Sequence, residues 1–449
     1  MDITVFLIRI NQLLAYSNSL IALPATIIFF GASVFLTYRL RFPQFRGFPY
    51  FVRLLTQSFV RKKEKGPEGE TETISSFHAL FTAMASTIGM GNIVGPSIAI
   101  MAGGPGALFW MLVYIFFGSV TKFTEVTFAM KTRIKTTDGT LIGGPMEYLK
   151  LVHSYVAYWY VLVMIFLFMG WSSLQSNTLA SILDQESISA LYVGAFLAIL
   201  VLIVLSGGVK RVGNIASMLV PLMFALYFMF AAGILLNDVS ALWWAIKLVI
   251  SQAFKPASAF GGFIGATLFQ AMQAGIYRGI FITEAGLGTS SIPHAVSDAK
   301  YPVDQGLLAL FSMISDAFLS TLSGLLVLVT GVWTSGVFRS TLIYEAFKLN
   351  SPLYGKYVLI LSVGLFVLTT IIGNSFNGKQ SFASLTNNRW VSWYIGATCT
   401  AIFLGALVPV QLMWNIMDLM LALVAVPNVI GLIALTIKYP EILKISRRT

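Results

Sequence analysis

The chain has 449 residues, of which 57% are hydrophobic and only 10% charged, with a mean hydropathy of +0.81. Soluble domains carry about 25% charged residues, so this composition is that of a multi-pass membrane protein. Its net charge of +11 does not point to nucleic acid: basic residues distributed among apolar spans follow the Lys/Arg bias of cytoplasmic loops. A single cysteine, Cys399, excludes an intrachain disulfide and reads as a small core residue.

The N-terminal Met1-Asp2-Ile3-Thr4 lacks a basic region, and Arg9, Asn11 and Gln12 interrupt the apolar run behind it, so no cleavable signal peptide is expected. Apolar runs of about 20 residues predict eleven spans, near 19–38, 75–101, 105–131, 155–183, 190–206, 213–236, 261–288, 304–334, 354–376, 391–408 and 412–437. Stretches 2–15, 241–255 and 338–348 are too short or too polar to cross and read as interfacial or loop helices. Counting Lys and Arg in alternating loops places 21 on the side of the C-terminus and six on the side of the N-terminus. That asymmetry predicts an external N-terminus and a cytoplasmic C-terminus. The charged, Gly/Pro-punctuated run 61–72 is a solvated cytoplasmic linker.

Two of the spans are interrupted by glycine. In the first, Thr87-Ile88-Gly89-Met90-Gly91-Asn92 puts glycines at alternate positions, where a helix can unwind and present its amides and carbonyls. Packing of small residues is the plainer reading of those glycines, and the spacing is not that of a dinucleotide fingerprint. Gly103-Gly104-Pro105-Gly106 is a tight turn whose proline starts the next helix. Lys122 and Glu125, three apart on that helix, read as a packing or gating pair. The second interruption, Thr283-Glu284-Ala285-Gly286-Leu287-Gly288, comes after Arg278. An ionisable group inside a span costs several kcal/mol unless paired or hydrated. Glu284 is therefore an ion ligand or coupling group, a partner of Arg278 or Lys122, or a cap at the break. Asp316 and Asp418 are the other intramembrane carboxylates. With the first span set aside, the interrupted segments are the first and sixth of ten, as a five-plus-five inverted repeat requires: 75–236 and then 261–437. His78, His153 and His294 show no metal-ligand spacing, and no nucleophile–base motif argues for an enzyme. Two asymmetric internal breaks suit an occluding site better than a channel pore.

From Phe77 to the C-terminus the chain resembles the alanine/glycine:cation symporters, also called sodium:alanine symporters. The resemblance is carried by Thr87-Ile88-Gly89-Met90-Gly91-Asn92-Ile93, Gly103 to Trp110, Gly143-Gly144-Pro145-Met146, Glu284-Ala285-Gly286-Leu287-Gly288, Met413 to Asp418 and Ala425 to Leu432. It implies an all-α, leucine-transporter-like fold with one extra N-terminal helix, working by alternating access. It also implies Na⁺-coupled uptake of a small neutral amino acid such as alanine or glycine across the cytoplasmic membrane, with no cofactor beyond Na⁺ and no catalytic residue. Carried over by motif, the substrate residues are Thr87, Ile88, Gly89, Gly91, Asn92, Gln175, Asn177, Phe281, Thr283 and Gly286. A zwitterion suits such a site, its carboxylate at a half-helix N-terminus and its ammonium at a half-helix C-terminus. Na⁺, a hard cation, takes oxygen ligands, offered by carbonyls around Ala85 to Gly89 and by hydroxyls of Thr87, Thr283 or a later span, with Glu284 and Asp316 as coupling groups.

Two departures qualify the substrate. Thr283 stands where relatives have asparagine, and Gly373-Asn374-Ser375-Phe376-Asn377-Gly378-Lys379 replaces a pattern near Gly-Trp-x-Tyr-Tyr-Gly-Glu. Replacing an indole by Asn374 enlarges the pocket and adds polarity. A larger or more polar amino acid, or protons titrating on Glu284 or Asp316, is the alternative.

Overall fold

A computed structural model describes residues 3–60, 73–136, 141–254, 268–335, 342–351 and 353–445. The linker 61–72, the start of the seventh predicted span (261–267) and the first part of stretch 338–348 lie outside them. Apart from a two-stranded antiparallel pairing of Ile134–Lys135 with Leu141–Ile142, the described chain is helical. Its main helices are α1 (Ile3–Arg39), α2 (Phe48–Val60), α3 (Ser76–Thr87), α4 (Met90–Gly103), α5 (Gly106–Thr132), α6 (Ser154–Asp184), α7 (Ala190–Leu205) and α8 (Gly208–Asn237). They continue with α9 (Val239–Gln252), α10 (Leu268–Thr283), α11 (Ser291–Ala295), α12 (Pro302–Val329), α13 (Leu342–Asn350), α14 (Gly355–Thr386), α15 (Val391–Gly405) and α16 (Val410–Lys438).

Among the described residues, seven helices are long and apolar enough to cross a membrane, or eight with α3 and α4 taken as one span bent by 41°. The helices α7, α9 and α15 are shorter but apolar. Burial is inverted relative to a soluble protein. Met218 and Trp393 are 70% and 73% exposed, while Lys122, Glu125, Asn92 and Asp316 are buried. An apolar outside around a polar inside is what lipid as solvent selects.

The N-terminal stretch corrects one expectation. Residues 3–15 are not a separate interfacial piece but the first turns of α1, continuous to Arg39. The polar residues that break the hydropathy pattern have partners: Asn415 Nδ2 of α16 donates to Asn11 Oδ1 at 2.8 Å, and Asn18 Nδ2 donates to the Asn415 carbonyl at 2.9 Å. A paired amide is compatible with a helix face packed on protein. The stretch 241–255 lies over α9, and the described part of 338–348 falls in α13.

Helix α5 packs against α10, α12 and α1, and α6 packs against α14, α15 and α16. The approach of α10 to α5 is set by Gly275 and Gly279, one turn apart. A Cβ on Gly275 would run into the Ala107 carbonyl and lie 2.9 Å from the Met111 nitrogen; one on Gly279 would lie 2.9 Å from Tyr114 Cδ1. Small residues four apart let two backbones meet closely, and dispersion over that contact replaces the hydrophobic effect that lipid cannot supply. Gly275→Leu is therefore expected to destabilise the protein by about 1–3 kcal/mol through overpacking, read as a lowered melting temperature in detergent. An unchanged melting temperature would refute the close contact.

Candidate functional site: two helix breaks joined by a buried ion pair

The first break is where the sequence places it. Helix α3 ends at Thr87, Ile88 and Gly89 are extended, and α4 starts at Met90. The last carbonyls of α3 and the first amides of α4 have no partners within their own helices. Some are met from elsewhere. Asn92 Oδ1 accepts from Gly89 N–H at 3.1 Å, Gln175 Oε1 of α6 accepts from Met90 N–H at 3.3 Å, and Thr370 Oγ1 of α14 donates to the Ile88 carbonyl at 3.0 Å. Glycine is required at 89 because a Cβ there would collide with the Thr370 side chain. At Gly91 a Cβ would sit 3.4 Å from Phe281. Thr87 turns its hydroxyl back to the Ala83 carbonyl at 3.3 Å, and Ala85 is buried in the last turn of α3.

The second break differs from the expected mid-span interruption. Helix α10 stops at Thr283 and the chain unwinds through 284–290; the next helix is the five-residue α11. Glu284 has φ 56°, with Gly286 at 94° and Gly288 at 81°. A left-handed glutamate is a strained conformation that its surroundings must hold. Those surroundings are extensive. Tyr114 donates to the Ala285 carbonyl at 2.7 Å, Asn428 to that of Gly286 at 2.9 Å, and Tyr160 to that of Leu287 at 2.5 Å. The Glu284 carboxylate accepts from the Thr289 hydroxyl. Asn428 also donates to Glu125 Oε1 at 2.9 Å and accepts from Tyr148 at 2.6 Å. Every carbonyl from 285 to 287 thus has a donor from another helix.

Lys122 ties the breaks together. Its Nζ donates to the Thr283 carbonyl at 3.2 Å and lies 3.8 Å from Asp316 Oδ2. The other oxygen, Asp316 Oδ1, accepts from Asn92 Nδ2 at 3.1 Å. Lys122 and Asp316 are each 1% exposed. The path therefore runs from Gly89 through Asn92, Asp316 and Lys122 to Thr283. Lys122 makes no close ion contact with Glu125 or Glu284, the two carboxylates expected as its partners, although its charge acts on both, and Arg278 does not pair with Glu284. Glu125 bonds to Asn428, and Arg278 pairs with Asp418 at 3.2 Å while lying over the rings of Phe281 and Trp414. Spacing on one helix could not reveal that Asp316, on α12, lies within reach of Lys122.

Around the first break stand Gln175 and, through its ring, Trp171 of α6, which packs edge-on to Phe281 at 6.0 Å; Phe281 in turn meets Trp414 at 5.0 Å. Asn177 does not join them. Two residues on from Gln175 it faces the other way, and its Nδ2 donates to the Gly405 and Val408 carbonyls at 2.7 and 2.6 Å. Thr283 turns its hydroxyl onto the Gly279 carbonyl at 2.8 Å, and Gly286 belongs to the braced loop. Asn374 is buried on α14, one turn beyond Thr370. The sequence called only for a hydroxyl from a later span; Thr369-Thr370 within an apolar helix was the available signal. Tyr114, Tyr160 and Asn428 were not foreseen as braces at all.

A family model described as the sodium:alanine symporter family matches residues 7–446. An uncharacterized transporter of Haemophilus influenzae is 36% identical over 92% of this chain and 90% of that protein. The sodium/alanine symporter AgcS of Methanococcus maripaludis is 32% identical over 91% of each chain. Among solved structures, that of MhsT in complex with L-phenylalanine superposes with a TM-score of 0.60 at 15% identity, covering 83% of this chain and 91% of the other. The chain spans nearly the full length of each of these proteins, and the two sequence relatives are named as a transporter and a symporter. It belongs to the sodium:alanine symporter family.

Proposed function

We propose that this protein imports a small neutral amino acid of the alanine and glycine class together with Na⁺, across the cytoplasmic membrane, by alternating access. The reading includes eleven spans, with α1 as the extra N-terminal one and residues 75–236 and 261–437 as inverted five-span repeats. The N-terminus then lies outside and the C-terminus in the cytoplasm.

The observation that carries this reading is the first break. Its α4 end offers amides to a carboxylate, and its α3 end offers carbonyls to an ammonium or a metal ion. Thr87, Ile88, Gly89, Gly91 and Asn92 form that backbone, and Phe281 and Gln175 border it. For Na⁺ the ligands in this reading are the Ala85 and Ile88 carbonyls and the Thr370 hydroxyl. All three are hard oxygens, and the two carbonyls lie at the C-terminal end of α3. Thr283, Glu284 and Asp316 act differently. Their oxygens face Lys122, Thr289 and Asn92, and beside the Lys122 ammonium, itself a cation, they are placed to hold the shape of the site. Proton coupling through Glu284 or Asp316 would place the proton on a carboxylate that already accepts a hydrogen bond from Thr289 or Asn92.

Accumulation of labelled alanine by proteoliposomes under an inward Na⁺ gradient tests the reading. Uptake indifferent to Na⁺ would overturn it, and uptake driven by a pH gradient alone would favour protons. Thr370→Ala is expected to raise the Na⁺ concentration for half-maximal uptake about tenfold, the equivalent of one hydrogen-bond-sized ligand, with Thr370→Ser close to the parent. Lys122→Met leaves Asp316 as an uncompensated buried charge and is expected to cost about 3–5 kcal/mol, visible as a large drop in melting temperature. Adding Asp316→Asn to Lys122→Met should recover much of that loss; if it does not, the pair is not the brace.

A further inference from the structure

The elbow between α1 and α2 gathers charge and aromatic rings that solute transport does not use. From residue 3 to residue 63 the sequence has no aspartate or glutamate, and Arg39, Arg41 and Arg46 are exposed there. Among the described residues none of these three is in a salt bridge. Interleaved with them, Tyr38, Phe45 and Phe48 are 65%, 66% and 51% exposed. Phe42 links two of these rings, edge-on to Tyr38 at 5.2 Å and stacked on Phe45 at 6.2 Å. Exposed rings set among unpaired cations call for a partner that is both apolar and anionic.

The backbone fixes this cluster in place. Helix α1 ends in a Schellman turn, in which Phe42 N–H donates to the Thr37 carbonyl at 2.9 Å and Arg41 N–H to that of Tyr38 at 3.1 Å. Arg41 has φ 59° and Phe42 φ 53°. Glycine is the ordinary occupant of the first of those positions; an arginine there takes up backbone strain and brings a charge to the turn. The short helix Pro43–Arg46 and then α2 are seated on the core. Gln44 Nε2 donates to the Phe116 carbonyl of α5 at 3.1 Å, a Cβ on Gly47 would lie 2.5 Å from Leu307 Cδ2 of α12, and Phe51 stacks on Phe311 of α12 at 4.3 Å. Pro43, Gln44 and Gly47 are thus buried against protein, while Phe45, Arg46, Phe48 and Val52 face outward.

We propose that this elbow is a binding site for an anionic phospholipid, with Arg39, Arg41 and Arg46 on its phosphate headgroup and Tyr38, Phe45 and Phe48 against its acyl chains. The planar guanidinium fork matches phosphate oxygens. A soluble anion would satisfy the arginines and leave the rings in water. A zwitterionic lipid would cover the rings but carries its own cation beside the phosphate, so it leaves the arginine charge uncompensated. An anionic phospholipid meets both demands. The bound lipid also braces the core. Phe116 lies six residues before Lys122 on α5, and Phe311 five before Asp316 on α12, so the elbow spans the two helices that carry the buried ion pair.

The test follows the melting temperature of the full-length protein in detergent as phosphatidylglycerol, phosphatidylcholine or inorganic phosphate is added. Phosphatidylglycerol is expected to raise it saturably, as a ligand of the folded state does, and the other two to leave it unchanged. In Arg41→Gln/Arg46→Gln the phosphatidylglycerol concentration giving half the rise should increase about twentyfold, from about fivefold for each charge. Lys210→Gln/Lys438→Gln removes the same charge from exposed positions outside the elbow and should leave that concentration as in the parent. Arg41→Gly suits the left-handed turn better than arginine does, so its fold is secure, and it should weaken the lipid effect about fivefold. An equal rise with phosphatidylcholine or with inorganic phosphate, or equal shifts in the two double variants, would overturn the site. Neither substrate nor Na⁺ enters the measurement, so its outcome is separate from that of the transport reading.

Discussion

The Lys122–Asp316 pair is the constraint on which the arrangement of this core depends. Two opposite charges deep in a bilayer protein are expensive to bury, and their mutual attraction offsets that cost only if their remaining hydrogen-bonding capacity is met. Here it is met by the helix breaks themselves. Lys122 takes the terminal carbonyl of α10, and Asp316 takes the amide of Asn92 that shapes the start of α4. Neither break could close into regular helix without stripping the pair of a partner, and the pair could not separate without distorting both. The breaks therefore share one free-energy minimum, with α5 and α12 as its supports.

Within that frame the two breaks are not equivalent. The second is braced on all sides, its carbonyls capped by Tyr114, Asn428 and Tyr160 from three different helices and its strained glutamate held by Thr289. Its backbone has little left to offer a passing solute. The first is held more lightly, by two amide bonds and one hydroxyl, and each of those donors or acceptors can be exchanged for a ligand atom of like polarity. A rigid break beside a lightly held one is a reasonable division of work for a transporter: one fixes the geometry against which the other opens and closes.

Much of this was legible in the sequence, for physical reasons that differ from element to element. Long apolar runs mark spans because lipid forces every backbone group into helix: α5 and α6 match the expected 105–131 and 155–183 to within a residue, whereas α14 runs to Thr386, past the expected end at 376. The first break was legible because alternate glycines at 89 and 91 let a helix unwind, a reading that competed with close packing of small residues. What failed was anything decided by contact across helices. Asn11 looked like an interruption because its partner, Asn415, lies some four hundred residues away along the chain. Lys122 looked like the partner of its neighbour Glu125, and Asn177 like that of Gln175, because spacing along one helix is all a sequence displays. The role of Gly144 and Pro145 was also hidden. They lie against Ile292 and Gly288, beside the second break, and the unwound loop could not pass so close to larger residues.

The same reasoning bears on what α14 contributes. Its Thr370 and Gly373 hold the helix against α3 at the break, a contact that leaves no slack: a Cβ on Gly373 would come within 2.6 Å of the Ser86 nitrogen. Asn374 and Asn377 lie on the face of α14 that carries Thr370, about one and two turns further along the helix. The face of α14 that meets the first break is positioned by Thr370 and Gly373, whose contacts with Ile88 and Ser86 tie that helix to the end of α3.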